Sequence, residues 1–426
     1  MCSSDLRHFA AAGEAECAVR YLEIAGDHAA GAFANDEAVS SFRAALAVVG
    51  DQPARMADAA AELQGKLANV LWRTGRRGEA RQALRDALDL AAQGNVLRRA
   101  HLHTRLGRLE MADLCYEAAE TAFDGAQAQL GEARDGEDPA AAEVWLELMV
   151  DGRAALYMIR GEYERSLAVL QAIRPLLESR GTPARKYSFY MHLSYARVMA
   201  NGYQVSDADL VDMRLGLAAA ADGAEEKDVG YATYFLARLL LLRGDLTAAQ
   251  AHMEQALAMA ERIGETILLG QSLLGLALTA LRRSDTEAVR AWTHRALAVA
   301  DDMAGPEYLA RARACLAWLA WQDRHPEDVI KLAGEIAELQ ETAARAAPPD
   351  QWVYLLPLLA VRVEAGQLTD AIAVARQLAN PARQRFPDAL ESAVQAAVAA
   401  WEPGRPGLAR RNLEAALALA RELRYI

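Results

Sequence analysis

Six of the 13 tyrosines in this 426-residue chain fall between Tyr187 and Tyr234, and arginines accompany them at helical spacing. The first run reads Lys186-Tyr187-Ser188-Phe189-Tyr190-Met191-His192-Leu193-Ser194-Tyr195-Ala196-Arg197. At about 3.6 residues per turn, Tyr187, Tyr190, Ser194 and Arg197 share one helical face. In the second run, from Lys227 to Arg238, Lys227, Tyr231, Tyr234 and Arg238 share a face in the same way. A shift of about 40 residues lays Tyr190 on Tyr231 and Arg197 on Arg238. Stacked phenol rings and guanidinium groups offer flat apolar area and fixed positive donors, a combination suited to a peptide, carboxylate, sugar or phosphate. A second reading has the tyrosines wedged between helices with only their hydroxyls at the rim.

Other chemistries are poorly supplied. The chain has no Gly-x-x-x-x-Gly-Lys-Ser/Thr phosphate loop, no His-Glu-x-x-His, no Gly-x-Ser-x-Gly and no glycine-rich dinucleotide turn. His101 and His103 are two residues apart, so a helix sends them to different faces and they cannot share a metal. His192, in the aromatic run, is the most interesting of the histidines, although a packed or exposed histidine explains it more simply than a catalytic one. Cys2, Cys17, Cys115 and Cys315 are scattered, which argues against a disulfide framework or a zinc site and fits a reducing cytoplasm. These residues predict no catalytic group, no metal site and no cofactor.

The elements that position the Tyr/Arg faces are helices. Hydrophobic residues make up 53% of the chain but aromatics only 6%, so alanine and leucine carry the apolar content, and both favour helix. Apolar residues recur at i, i+3, i+4 and i+7, as in Leu84, Ala87, Leu88 and Ala91, and no stretch sustains the alternation of a strand. The net charge is −12, with no Lys/Arg-rich run, so the basic footprint of nucleic-acid binding is missing. No uncharged apolar run approaches the length of a membrane span, and no secretory signal is visible.

Regular punctuation organises the helices. Gly75, Gly161, Gly202, Gly244 and Gly366, with Asn35, Asp113, Ser284 and Arg324, mark turns about 40 residues apart. The glycine supplies a left-handed residue that closes one helix, and a following Asp, Ser or Thr opens the next. After each turn come small residues at recurring positions, as in Ala80 with Ala87-Leu88, Ala249 with Ala256-Leu257 and Ala288 with Ala296-Leu297. Roughly nine to ten helix pairs fit this period. The polar stretches Gly131–Pro139 and Ala346–Asp350 are candidate internal boundaries. The expected divisions are a non-native leader at 1–6, N-terminal repeats at 7–136, central repeats at 137–347, and C-terminal repeats with a capping helix at 348–426.

This pattern resembles the tetratricopeptide repeat in a longer form, about 40 residues against 34. It is similar to the helical repeat region of MalT-like signal-transduction ATPases. The stretch Ala11-Ala12-Gly13 … Ala18-Val19-Arg20-Tyr21-Leu22 … Phe33-Ala34-Asn35-Asp36-Glu37-Ala38-Val39 … Phe42-Arg43-Ala44-Ala45-Leu46 resembles the segment that follows the ATPase module in bacterial regulators linked to nucleotide cyclases or LuxR-type DNA-binding domains. The resemblance implies an all-α fold, a right-handed superhelical α-solenoid of helix pairs whose first helices line a concave groove. It implies a non-catalytic domain that binds a protein, a peptide or a small effector in that groove, as the cytoplasmic C-terminal sensor of a signalling or transcriptional regulator with an ATPase module upstream. The alternatives are a free-standing protein–protein adaptor and, more remotely, an enzyme with its site in the groove.

Overall fold

The computed structural model describes residues 15–32, 34–50, 56–91, 95–131, 138–223, 225–299, 306–342, 349–380 and 383–426. The suggested leader at 1–6, Ala11–Gly13, Phe33, the middle of the 131–139 stretch and Ala346–Pro348 lie outside them. Among the described residues the regular structure is entirely helical, an α-solenoid of tetratricopeptide-like helix pairs. The chain divides into two compact units: Met1–Leu156 with Gln171–Gly181, and Tyr157–Leu170 with Thr182–Ile426.

In the first unit, α1 (Ala15–Gly31) packs on α2 (Asn35–Gly50), α3 (Ala57–Arg73) on α4 (Arg77–Leu90), and α5 (Val96–Ala112) on α6 (Tyr116–Leu130). α7 (Pro139–Glu147) runs into a π-helical turn, Leu148–Ala154. Fully buried Ala38, Ala45, Ala80, Ala87, Ala119 and Ala126 let paired helices approach closely. Two glycines go further. A Cβ on Gly26 would strike the Phe42 ring, and one on Gly107 the Phe123 ring, so each phenyl lies directly on its neighbour's backbone. Adjacent pairs are tied at the surface: Lys66 in α3 reaches Glu23 (2.6 Å) and Asp27 (2.7 Å) in α1, and Arg81 in α4 reaches Glu110 (2.8 Å) in α5.

Helices α8 (Ala155–Ile159) and α9 (Tyr163–Arg180) give residues to both units. The second unit continues with α10 (Pro183–Ala200) on α11 (Asp207–Ala221), α12 (Glu226–Arg243) on α13 (Leu246–Ile263) and α14 (Thr266–Arg282) on α15 (Thr286–Ala298). Then come α16 (Pro306–Gln322) on α17 (Pro326–Thr342), α18 (Trp352–Glu364) on α19 (Leu368–Leu378), and α20 (Asp388–Trp401) on α21 (Pro406–Glu422). The turns fall where the punctuation predicts. Gly75, Gly161, Gly202, Gly244 and Gly366 have positive φ, and so do Leu114, Ser284 and Arg324, where the chain takes the same left-handed step without glycine.

The first helices of the later pairs are not half-exposed. Every residue from Ser272 to Leu281 in α14 is buried, and so is nearly all of α18 from Trp352 to Val363. Neither carries a charge over most of its length, as a helix covered on all sides requires. The second unit also closes on itself: the Arg385 N–H donates to the Gly202 carbonyl oxygen (3.0 Å), joining turns more than four helix pairs apart in sequence order.

Candidate functional site

The eight residues singled out by the sequence divide three ways. Tyr187, Tyr190 and Ser194 are buried in the packing of α10 on α11. Ser194 Oγ donates to the Asp209 carbonyl oxygen (3.2 Å), and Arg197 donates to Asp209 (2.8 Å) and Asp212 (3.0 Å). Asp209 is also the third residue of α11, where its carboxylate accepts from Ser206 and completes a capping box. Arg197 thus fastens the start of α11 to α10. Lys227 and Tyr231 sit at the rim. Lys227 pairs with Glu225 (2.8 Å), which raises its pKa, and the Tyr231 hydroxyl donates to Glu265 (2.9 Å). Burial first, then the Glu265 charge, pushes the Tyr231 hydroxyl up.

Tyr234 and Arg238 go to the interior. Arg238 Nη2 donates to both carboxylate oxygens of Asp350 (3.1 and 3.2 Å) across 112 residues of sequence. Arg311 in α16 places its Nη2 3.1 Å from Oδ2 of the same carboxylate and pairs with it in charge. The side chains are 5% (Arg238), 17% (Arg311) and 7% (Asp350) exposed, so the cluster is desolvated. Asp350 stands on the 3₁₀ turn Pro349–Gln351 that opens α18. Burial opposes its ionisation, but Arg238 and Arg311 overcome that and hold its carboxyl below the usual range. Burial likewise opposes the charge on both arginines, and Asp350 restores it. Burial pushes the nearby Tyr195 and Tyr203 hydroxyls up and the Cys315 thiol up to about 12, so all three are neutral at physiological pH. The arrangement is two cations sharing one anion among neutral phenols.

Two narrow cavities flank Asp350. One, of about 10 Å³, is mainly apolar and bounded by Arg311, Gln351 and Tyr354. The other, also of about 10 Å³, is bounded by Arg238, Arg282, Trp352 and Gln384. The Trp352 indole N–H donates to Gln384 (3.1 Å), and Tyr425 packs edge-on against Trp352 and Phe386. On the outside, a cleft of about 410 Å³ lies between Trp321, His325, Glu364 and Arg421.

Asp350 and Arg311 were missed by the sequence reading, which treated Asp350 only as part of a loop. One signal was present: Arg238 is a lone charge between Leu236-Ala237 and Leu239-Leu240-Leu241-Leu242, and a charge in such a run requires a buried partner. Above the cluster, Met191 and Tyr195 of α10 and Tyr231 and Phe235 of α12 remain partly exposed. Tyr195 meets Phe235 edge-on at 4.9 Å, and Tyr231 stacks on Phe235 at 6.4 Å. Among the described residues, no group of three or more His, Cys, Asp or Glu side chains is placed to hold a metal ion.

Comparison with known proteins supports the fold. Residues 61–93 match the tetratricopeptide repeat. No curated protein sequence matches the chain. Among solved structures, a Rap protein complexed with competence and sporulation factor is similar at 14% identity, over 85% of this chain and 97% of that one, with a TM-score of 0.54. The apo form of RapI is similar at 11% identity over 86% and 98%, with a TM-score of 0.55. A signal transduction ATPase with a tetratricopeptide repeat sensor, from Pyrococcus horikoshii, aligns at 15% identity over 83% and 55%, but its TM-score of 0.46 is too low to bear on function. At these identities the likeness is one of fold, and the fold is a tetratricopeptide-like α-solenoid.

Proposed function

We propose that this protein is a non-catalytic scaffold that binds a protein or peptide partner on the aromatic shelf of its second unit. The observation that carries this reading is the shelf itself: Met191, Tyr195, Tyr231 and Phe235 stay partly exposed on two successive first helices, while equivalent faces of α14 and α18 are covered. Lys227, Tyr231 and Glu265 give its rim polar groups, and Tyr187, Tyr190, Ser194, Arg197, Tyr234 and Arg238 support it from beneath. Flat aromatic area with a polar edge is what a peptide-binding surface uses. Tetratricopeptide-like repeats mediate protein–protein binding as a class, and a Rap protein of similar fold was solved with a factor bound. The broader setting we infer is the cytoplasmic sensor of a bacterial signalling or transcriptional regulator, with an ATPase module encoded upstream; genomic sequence reading in frame into a phosphate loop supports it, and an in-frame stop before Met1 makes the chain a free-standing adaptor.

A photo-crosslinking residue tests the shelf. Placed at Phe235, it is expected to capture a discrete partner in cells, and the same group at exposed Glu254 in α13 is not. Tyr231→Ala with Phe235→Ala should abolish partner binding while the melting temperature stays within a few degrees of wild type. Equal capture from both positions removes the shelf as the site.

A further inference from the structure

Around Asp350, the interior of the second unit holds more positive charge than the neighbouring acid balances. Arg238 and Arg311 share Asp350, and Arg282 reaches the same region from the end of α14. Among the described residues, Asp350 is the only carboxylate bordering either cavity. The guanidinium group donates hydrogen bonds and cannot accept them. Arg238 Nη1 and Arg282 Nε are buried with no hydrogen-bond partner among the described residues. The Arg282 guanidinium lies over the Tyr425 ring at 4.3 Å. A buried donor without an acceptor is costly, and a buried charge without a counter-charge more so.

The narrow cavity bounded by Arg238, Arg282, Trp352 and Gln384 is where these deficits meet. Arg238 and Arg282 both border it, and so does Trp352, the first residue of α18, whose helix N-terminus adds positive partial charge. Its indole N–H is already given to Gln384. The space admits about one water-sized particle. A carboxylate or phosphate, with its several heavy atoms, does not fit without moving the walls. A water molecule satisfies the donors but leaves the charge uncompensated.

We infer that this cavity is a binding site for a chloride-sized monovalent anion, held by Arg238 and Arg282. The site is separate from the partner-binding shelf, because it lies inside the unit, and it stands whether or not the shelf binds anything. The anion neutralises the surplus positive charge next to the Arg238–Asp350 pair and joins α12, α14 and the start of α18, so its occupancy governs how firmly the second unit closes.

Bromide replaces chloride in such sites and scatters anomalously. Crystals of the full chain grown or soaked in bromide are expected to show an anomalous peak within hydrogen-bonding distance of Arg238 Nη1 and Arg282 Nε. In solution, at constant ionic strength, the melting temperature is expected to rise with chloride when gluconate is the replacement anion. Arg282→Gln should lose most of that chloride dependence. If this variant fails to fold, the bromide measurement on the wild type decides alone. A peak upholds the site. An ordered water in the cavity with no bromide peak overturns it, even if melting still responds to chloride, since that response then originates elsewhere.

Discussion

The two units solve the same problem, a buried acidic side chain facing two basic ones, with partners that differ in their access to water. In the first unit, Glu147 at the end of α7 accepts from His101 (2.9 Å) and lies 3.4 Å from Arg108, and these partners are 42% and 34% exposed. All three belong to neighbouring helices, and water reaches both basic groups. Arg105 nearby, whose pKa burial lowers to about 10, still finds the Gly65 carbonyl oxygen one repeat away. In the second unit Asp350 and Arg238 are buried and 112 residues apart. Solenoid contacts are normally made between neighbouring repeats, and the first unit keeps to that rule. The second breaks it by curving until its inner helices are covered and distant turns meet. A solvated ion pair adds little to stability, whereas a desolvated one becomes indispensable because neither partner can return to water.

The largest test of this contrast removes each acid in turn. Asp350→Asn leaves Arg238 and Arg311 buried without a counter-charge, and a loss of about 3–5 kcal/mol is expected. Glu147→Gln, with its partners open to solvent, should cost about 1 kcal/mol. Hydrogen exchange in α12 and α16 against α5 reads each unit separately, which matters because a two-unit chain need not unfold in one step. Equal losses would mean that closure of the second unit does not depend on the cluster.

A smaller effect compares the way each unit fills the space above a glycine. In the first, a Cβ on Gly107 falls on the rigid Phe123 ring; in the second, a Cβ on Gly275 falls on the end of the flexible Met253 side chain. Gly107→Ala is expected to destabilise by about 1–3 kcal/mol, as overpacking does. Gly275→Ala should cost less, because methionine can re-pack and alanine favours helix. Chemical denaturation of both variants ranks them, and a larger loss at Gly275 would show that the interior around Met253 is the tighter of the two.

Much of this architecture is legible in sequence because the left-handed turn has a local chemical signature. It holds even at Ser284 and Arg324, where no glycine marks it but the surrounding polar residues do. The helix faces of Tyr187, Tyr190 and Tyr231 follow from periodicity alone. What covers a face does not, because that depends on curvature accumulated over several repeats. Arg197 and Arg238 overlay by one repeat in sequence, yet Arg197 meets Asp209 and Asp212 on the adjacent helix while Arg238 meets an acid 112 residues away. No single repeat encodes that encounter. The lone charge in the apolar run at Arg238 signals that a partner exists without saying where it lies.

The finest test of the comparison is pH. Burial, reinforced by the charge on Arg99, lowers the pKa of His103 in α5 below its ordinary 6.5, and its Nδ1 has no hydrogen-bond partner among the described residues. The unfolded chain therefore binds that proton more readily than the folded one. The neutral-histidine contribution is complete above pH 6.5 and is lost as pH falls through the folded value. Asp350 also has a depressed pKa, so its contribution is complete above its ordinary 3.8 and disappears only as pH falls further through its folded value. Acidification below pH 6.5 should thus loosen α5 and α6 of the first unit first, while the Arg238–Asp350 cluster stays intact until the pH has fallen below 3.8. Hydrogen exchange at pH 7.5 and 5.5, corrected for intrinsic rates, measures the first step, and His103→Asn should remove it. If the second unit loosens first, its closure depends on some titrating group other than Asp350, and the contrast between a solvated and a sealed ion cluster would have to be redrawn around that group.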